Sequence, residues 1–208
     1  MHTRGVVSIS ISDSRAADGS SSSPEYPITT ARPEDLPFLA SIELAAARLL
    51  AGHAPDSVLA ETTSHDEFED ARRHGHLWVA RANDVPVGFA HVKVLEPGVA
   101  HLEEIDVHPD HGRRGVGARL VRAVCEWAAR AGYESVTLTT FRDVPWNMPF
   151  YERLGFQLIS AAELSPALRS ILQDEARRGL DPRRRVAMRH AVDARPKPAG
   201  SEGQHRAY

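Results

Sequence analysis

The chain has 208 residues, 42% of them hydrophobic and 25% charged, and a formal net charge of -3 at pH 7. This length and composition suit one domain with a single buried core, and the charge gives no general attraction to nucleic acid or to an anionic membrane. The single cysteine, Cys125, excludes an intrachain disulfide and argues against a cysteine-based metal site. We therefore expect a protein of the reducing cytoplasm that binds a small ligand, with no nucleic acid or membrane partner.

The two ends of the chain have compositions typical of disordered segments. Residues 1–25 include four consecutive serines at positions 20–23 and lack the long apolar core of an export signal. The other end carries Pro196, Pro198, Gly200 and Gly203. No run approaches the ~20 apolar residues of a membrane span. We predict a disordered leader over residues 1–25, one domain over residues 26–190 and a disordered tail over residues 191–208.

Helical and strand patterns alternate through the first half of the domain. Residues 28–31 read as a strand, and Pro33 opens a helix to about residue 50. After a loop over residues 51–63, Ser64 and Glu67 form a capping-box pattern that opens a helix to about residue 74. Strands over residues 77–81, 86–94 and 100–107 should then form an antiparallel meander.

A strand, a glycine-rich loop and the start of a helix meet within residues 101–121. The strand pattern ends at Pro109, and from Val116 apolar residues recur at helical spacing as far as Ala131. The first turn of that helix has N–H groups without internal partners at the positive end of its dipole. Three glycines leave the loop backbone accessible and two arginines add positive charge: Gly112, Arg113, Arg114, Gly115 and Gly117. The junction predicts a site for a phosphate or diphosphate.

Two other phosphate motifs do not fit this loop. A P-loop needs Gly-Lys-Ser/Thr, but Ala118 and Arg119 follow Gly117. A dinucleotide fingerprint needs G-x-G-x-x-G, but Leu120 holds the place of the third glycine. An ordinary tight turn with solvated arginines remains the alternative.

The second half continues the alternation of helix and strand. Gly132 should end the central helix, and residues 134–140 read as a strand parallel to the one before that helix. Asn147 begins a helical pattern to residue 154, followed by a strand over residues 156–160, a helix over 166–178 and a strand over 184–188. The arginine run at positions 183–185 reads as a solvated edge.

The loop, followed by Pro149-Phe-Tyr-Glu-Arg-Leu-Gly-Phe156, closely resembles the GNAT superfamily of acyl-CoA-dependent N-acyltransferases over residues 27–160. In that family a Q/R-x-x-G-x-G/A loop holds the CoA diphosphate; Gly115 and Gly117 match it, and Gly112 stands at the Gln/Arg position. The resemblance implies an α/β (α+β) fold with a mixed central sheet, parallel fourth and fifth strands that splay apart, and helices on both faces.

The resemblance also implies an N-acetyltransferase in which a primary amine attacks the thioester of acetyl-CoA directly. Acetyl-CoA is then the co-substrate, the acceptor is a small-molecule or peptide amine, and the protein is a monomer or homodimer. A non-catalytic module that binds acyl-CoA as a sensor or interaction domain is the alternative. The residues implied to contact CoA are Ile105, Asp106, Val107, Gly112, Arg113, Arg114, Gly115, Val116, Gly117, Ala118, Asn147 and Tyr151.

Candidates for the catalytic base lie on the strand over residues 100–107. Strict alternation places the odd-numbered residues from 101 to 107 on one side and the even-numbered ones on the other. In the similar arylalkylamine N-acetyltransferases two histidines fall at the positions of His101 and Glu103. The resemblance therefore implies Glu103 as the base, directly or through water, with His101 assisting. Alternatively both are half-exposed strand residues, or a bulge turns Glu104 toward the site.

Tyr151 matches the tyrosine that in many GNAT enzymes points its hydroxyl at the CoA sulfur, so the resemblance implies a general acid for the departing thiolate. The alternative is a core aromatic beside Phe150 and Phe156. The family's asparagine seven residues earlier, which contacts the pantetheine arm, is replaced by Val144. Asn147 either makes that contact or caps the helix.

Glu43 and Trp146 are candidates to line the acceptor pocket. The alternatives are a solvated helix-face position for Glu43 and core packing or a lid for Trp146. Three histidines lie close in sequence, at His101, His108 and His111, but no cysteine or carboxylate spacing completes a zinc set, so we expect no metal.

Overall fold

A computed structural model describes residues 25–193 of the chain. Nearly all of the predicted leader and most of the predicted tail therefore lie outside the described residues. Within them, seven strands form one sheet: β1 (Ile28–Thr30), β2 (Leu77–Ala82), β3 (Val85–Glu96), β4 (Val99–Val107), β5 (Ser135–Phe141), β6 (Gln157–Leu158) and β7 (Arg185–Ala191). Their order in the sheet is β1-β2-β3-β4-β5-β7-β6. The predicted meander of β2, β3 and β4 is confirmed.

Strands β4 and β5 are parallel, and they separate after a short ladder. Residues 99–101 of β4 pair with residues 135–137 of β5. Beyond that point β4 stays paired with β3 as far as Val107, and β5 stays paired with β7 as far as Phe141. The two strands therefore splay apart toward their carboxyl ends, as the sequence resemblance implies.

Helices cover both faces of the sheet: α1 (Leu36–Ala47), α2 (Asp56–Leu59), α3 (His65–Arg73), α4 (Val116–Ala131), α5 (Met148–Arg153) and α6 (Pro166–Arg177). On one face α4 buries Leu120 and Val124 against side chains such as Ala90 of β3. On the other face Leu39 of α1 and Phe68 of α3 pack on β2 and β3. The predicted α/β arrangement with helices on both faces is confirmed.

Local signals in the sequence fix most element boundaries. Ser64 Oγ accepts a hydrogen bond from the Glu67 N–H at 3.3 Å and Glu67 Oε2 accepts one from the Ser64 N–H at 3.4 Å, so the predicted capping box is present. Gly132 ends α4 with φ 85°, a conformation that favours glycine. The predicted loop over residues 51–63 contains the short helix α2, β6 is shorter than predicted, and β7 is longer.

A β-bulge interrupts β4 at Glu103. His91 of β3 pairs with Glu104, whereas the next residue, Val92, pairs with Leu102, so Glu103 is the extra residue. As a result Leu102 and Ile105 both pack in the core beneath α4. The strict alternation expected for residues 101–107 is therefore wrong, because the bulge reverses the facing of the strand beyond it.

Candidate functional site

The glycine-rich loop joins β4 to α4 with two left-handed residues. Arg113 has φ 61° and Gly115 has φ 74°, and Gly115 is the residue at which α4 begins. A Cβ atom built on Gly115 would meet nothing within 4 Å, so the space next to the loop is open. The loop therefore places an exposed backbone and two exposed arginines at the positive end of a 16-residue helix. This arrangement suits an anion such as a diphosphate.

Four ionisable side chains of β4 lie on the sheet face that α1 and α3 cover, because the bulge adds Glu104 and Asp106 to His101 and Glu103. Each of the four is at most 4% exposed. Asp106 lies opposite Phe89, which packs in the cluster under α1 and α3, and Glu104 lies opposite His91, whose ring packs on Phe68. One strand therefore carries a buried row of acids and a histidine beside the opening between β4 and β5.

Glu103 lies at the α3 side of this row. Its Oε1 is 3.0 Å from Lys93 Nζ, and Lys93 Nζ is also 3.7 Å from Glu67 Oε1 of α3. His101 Nε2 is 3.9 Å from Glu103 Oε2, and His101 Nδ1 is 3.0 Å from Thr137 Oγ1. Burial lowers the pKa of His101 to about 4, so its ring is neutral at pH 7.

Glu104 and Asp106 share a hydrogen bond between their carboxyl groups. Burial, and then the charge of Glu43, raise the pKa of Asp106 well above its usual range. The hydrogen bond from Glu104 opposes this rise, and a bond between two carboxyl groups needs a proton on one of them.

Tyr151 is fully buried between Phe150 and Phe156, whose ring centroids lie 5.0 and 5.7 Å from its own. No residue of the described range makes a hydrogen bond to its hydroxyl. Burial raises the pKa of this hydroxyl well above its usual value, and the charges of Glu104 and Asp106 raise it further, while Arg185 opposes them. The phenol thus belongs to the core, as the alternative expected, and its hydroxyl also lies within the field of the carboxyl pair.

Glu43 is not the solvated helix-face residue that the alternative expected. Its carboxylate is buried and accepts hydrogen bonds from the Thr63 N–H at 2.8 and 3.1 Å and from Thr63 Oγ1 at 3.2 Å. The interaction holds α1 to the segment before α3. Its charge still acts on Asp106, so Glu43 lies near the acidic row.

Trp146 and Asn147 stand in the connection between β5 and α5. The half-buried Trp146 ring packs edge-on against His53 at 5.9 Å and joins an apolar cluster with Leu50 and Phe141. Asn147 is fully buried at the residue before α5, but its side chain makes no capping hydrogen bond. Asn147 is therefore the N-cap residue by position, as predicted, but its side chain does not cap the helix, and its contact with a pantetheine arm stays a prediction.

Sequence reasoning missed the buried ion pair between β7 and α6. Arg185 Nε and Nη2 each donate to Glu175 at 2.8 Å, and Thr139 Oγ1 donates to Glu175 Oε1 at 2.6 Å. Because Arg185 is buried, reading residues 183–185 as a solvated edge was wrong for this residue. A signal was present, since Glu175 lies seven residues after Leu168 on the apolar stripe of α6.

Neither a metal-binding cluster nor a membrane-spanning helix occurs among the described residues. Across residues 25–193, no three histidine, cysteine or acidic side chains converge as they would around a metal ion. The three histidines do not form one cluster. The His108 and His111 rings are 6.4 Å apart, whereas His101 is fully buried and its Nδ1 contacts Thr137 Oγ1. Within the same range no helix is both long and apolar enough to cross a membrane.

The sequence of the chain is similar to sequences of known acetyltransferases. A sequence model of the Acetyltransferase (GNAT) family matches residues 44–156, just over half of the chain. The chain is 30% identical over 119 residues to the mouse protein named probable N-acetyltransferase family 8 member 5, covering 53% of this chain and 52% of that protein. It is 33% identical over 87 residues to an uncharacterized N-acetyltransferase of Methanocaldococcus jannaschii, covering 39% and 38%. The chain thus spans about half or less of these relatives.

Solved structures share the fold at low sequence identity. The PaiA N-acetyltransferase of Thermoplasma acidophilum, in complex with coenzyme A, has a TM-score of 0.63 and 16% identity, covering 81% of this chain and 99% of that one. N-acetylglutamate synthase of Neisseria gonorrhoeae, complexed with coenzyme A and N-acetyl-glutamate, has a TM-score of 0.61 and 20% identity, covering 82% and 36%. A putative acetyltransferase of Salmonella typhimurium with acetyl-CoA has a TM-score of 0.60 and 18% identity, covering 85% of this chain and 99% of that one.

Proposed function

Since the chain belongs to the acetyltransferase (GNAT) family, we propose that it transfers the acetyl group of acetyl-CoA to a primary amine. The observation that carries the proposal is the placement of the anion-binding loop at the end of β4, beside the opening between β4 and β5. Similar structures that contain coenzyme A or acetyl-CoA support the same co-substrate.

The residues present fit coenzyme A at two places. The backbone of residues 112–118, with the open space next to Gly115, suits the diphosphate. From Leu102 onward the β4 edge that faces β5 has no strand partner in the described structure, so main-chain groups near residues 105–107 are available to the pantetheine arm. Asn147, the residue before α5, and Tyr151 of α5 are four residues apart in sequence, and we propose that both contact the pantetheine arm.

For the base, the geometry favours Glu104 over Glu103. Glu104 bonds to Asp106 and its charge reaches the Tyr151 hydroxyl, whereas Glu103 lies 3.0 Å from Lys93 on the α3 side. If the two carboxyl groups share one proton, the Glu104–Asp106 pair keeps one negative charge, and in the proposed reaction that charge takes a proton from an incoming amine. The bulge alternative, in which Glu104 faces the site, thus becomes part of the proposal.

Tyr151 serves as the donor to the leaving group. When bound, acetyl-CoA supplies the thioester carbonyl that the amine attacks. The raised pKa keeps the Tyr151 hydroxyl protonated, and its lack of a partner among the described residues leaves the proton for the sulfur. The same raised pKa makes a strong hydrogen bond to the developing thiolate more favourable than complete proton transfer.

Calorimetry with acetyl-CoA, followed by a screen of amines for thiol release, tests the proposal. Gly115→Ala and Gly132→Ala form a matched pair, because the two left-handed glycines lie at opposite ends of α4 and both have open space at the Cβ position. Only Gly115→Ala should weaken acetyl-CoA binding, by about tenfold if one main-chain hydrogen bond to the diphosphate is lost. Absence of binding to the native protein contradicts the proposal, and binding without turnover of any amine favours the sensor alternative.

A further inference from the structure

Tyr26 joins the start of the described chain to the glycine-rich loop. The residue precedes β1, is 4% exposed and packs in the core cluster that includes α4. Its hydroxyl is 3.0 Å from Arg114 Nη1 and 3.2 Å from His111 Nδ1, and its ring meets the His111 ring edge-on at 5.8 Å. A residue more than eighty positions away in sequence therefore contacts the residue before the loop and an arginine within it.

The direction of the bond to Arg114 is fixed, because an arginine only donates and the Tyr26 oxygen therefore accepts. The direction of the bond to His111 Nδ1 depends on the tautomer of the imidazole ring. Burial, and then the charges of Arg114 and His108, lower the pKa of His111, while Asp110 opposes them, and a neutral ring can accept at Nδ1. The chain of bonds runs from Arg114 through Tyr26 to His111.

This contact leaves the Arg114 charge available. Among the described residues Arg114 has no ion-pair partner, and its remaining N–H groups lie on an exposed loop that leads into the amino end of α4. An arginine side chain normally samples many rotamers, and holding it in one geometry before binding removes that cost from the binding step. The ordered, uncompensated guanidinium therefore suits an anion at the same loop.

We propose that Tyr26 is a positioning residue for coenzyme A, acting through Arg114. Its hydroxyl holds the guanidinium beside the loop so that the diphosphate meets a preformed charge. The inference rests on the proposed function for the loop, but it concerns a residue outside the matched family region, which begins at residue 44.

The test is the dissociation constant of CoA, measured by calorimetry on the full chain. Tyr26→Phe keeps the ring and should weaken CoA binding about three- to tenfold, as expected for one lost hydrogen bond that acts through a second residue. Pantetheine, which has no diphosphate, should bind both proteins equally, since a general loss of structure would weaken both ligands. Tyr133→Phe removes a hydroxyl beyond the opposite end of α4 and should change neither value.

A double-mutant cycle separates positioning from packing. In an Arg114→Ala background, Tyr26→Phe should have no further effect on CoA binding, because the group it positions is gone. A loss that persists in that background, or an equal loss for pantetheine, assigns Tyr26 a purely structural role and overturns the inference. Equal CoA affinity of Tyr26→Phe and the native protein overturns it as well, with the proposed function intact. Failure of the native protein to bind CoA overturns both.

Discussion

At the residue scale, burial controls the protonation state of the groups beside the opening. The same desolvation that raises the pKa of the Tyr151 phenol also raises the pKa of the Asp106 carboxyl group and keeps His101 neutral at pH 7. A protonated phenol and a carboxyl group of raised pKa are the kinds of group that the proposed transfer of an acyl group from a thioester to an amine would use as acid and base.

Replacement of Tyr151 by phenylalanine tests the donor. The ring packing with Phe150 and Phe156 is retained, so Tyr151→Phe should leave CoA affinity and stability near native values. The turnover number for amine acetylation should fall by about two orders of magnitude, a typical contribution for one acid or base group. Steady-state kinetics measure the change, with Tyr133→Phe as the control. Full turnover in Tyr151→Phe would assign the hydroxyl no role in the reaction.

The neighbouring glutamates allow a paired test of the base. Glu104→Gln and Glu103→Gln make the same isosteric change one residue apart. Glu104→Gln should lower kcat/KM by about 10²-fold or more and remove the limb of the pH profile that reports the carboxyl pair, whereas Glu103→Gln should keep that limb. The reverse result would return the base to Glu103.

Sequence reasoning named these residues but not their directions. A strand pattern with Leu102 and Ile105 separated by two acids fits either regular alternation or a bulge. The buried position of both apolar residues under α4 selects the bulge only once the sheet and helix are assembled. The link between Tyr26 and the loop was out of reach for a similar reason, because it joins segments that only the folded sheet brings together.

At the element scale, β3 and β4 lie unusually close at Gly88. A Cβ atom on Gly88 would lie 2.8 Å from the Asp106 carbonyl oxygen and 3.2 Å from Val107 Cγ2. The backbone oxygen has little room to move, since β4 is paired along this stretch with β3. Gly88 therefore sets the separation of the strands where Asp106 faces the site.

Substitution of Gly88 should consequently disturb both stability and the site. Gly88→Ala is expected to lower the free energy of unfolding by about 1–3 kcal/mol, the usual cost of overpacking. Urea denaturation measures it, and the pH profile of acetylation should shift as Asp106 moves. Native stability and a native pH profile in Gly88→Ala would show that β3 and β4 can move apart at this point without loss of free energy.

Element prediction succeeded where a local signal was long enough. The 16-residue periodic pattern of α4 and the Ser64 capping box identify their helices without tertiary information. Helix α2 has four residues, which is too short for a periodic signal. Burial of Arg185 depends on Glu175 and Thr139 from two other elements, so the arginine run alone could not reveal it.

At the scale of the whole molecule, one sheet face is apolar and the other carries ionisable groups. Leu120 and Val124 fill the first face. The second face buries His91 and His101 of neighbouring strands, at 3% and 0% exposure, beneath the layer that contains α1 and α3. Burial lowers the pKa of each histidine from 6.5 to about 4. The molecule as a whole therefore carries a dependence of stability on pH.

The sign of that dependence follows from proton uptake on unfolding. Between pH 6.5 and about 4, both histidines are protonated in the unfolded chain but not in the native protein. Their contribution to the free energy of unfolding therefore falls as pH falls. The decrease is about 1.4 kcal/mol per pH unit for each ring that is fully protonated in the unfolded chain. Asp106, whose pKa is raised, acts in the opposite direction. The contribution of Asp106 cancels when a histidine variant is compared with the native protein, because both proteins contain Asp106.

Replacement of His91 by leucine isolates one of the two rings. In His91→Leu the number of protons taken up on unfolding near pH 5 should drop by about one, so its unfolding free energy should fall less steeply between pH 6.5 and 4.5 than that of the native protein. Urea denaturation across this range measures both slopes, and His65→Leu at an exposed site is the matched control substitution. Parallel slopes for His91→Leu and the native protein would show that the buried ring is already protonated in the folded state, and the electrostatic account of this sheet face would then fail.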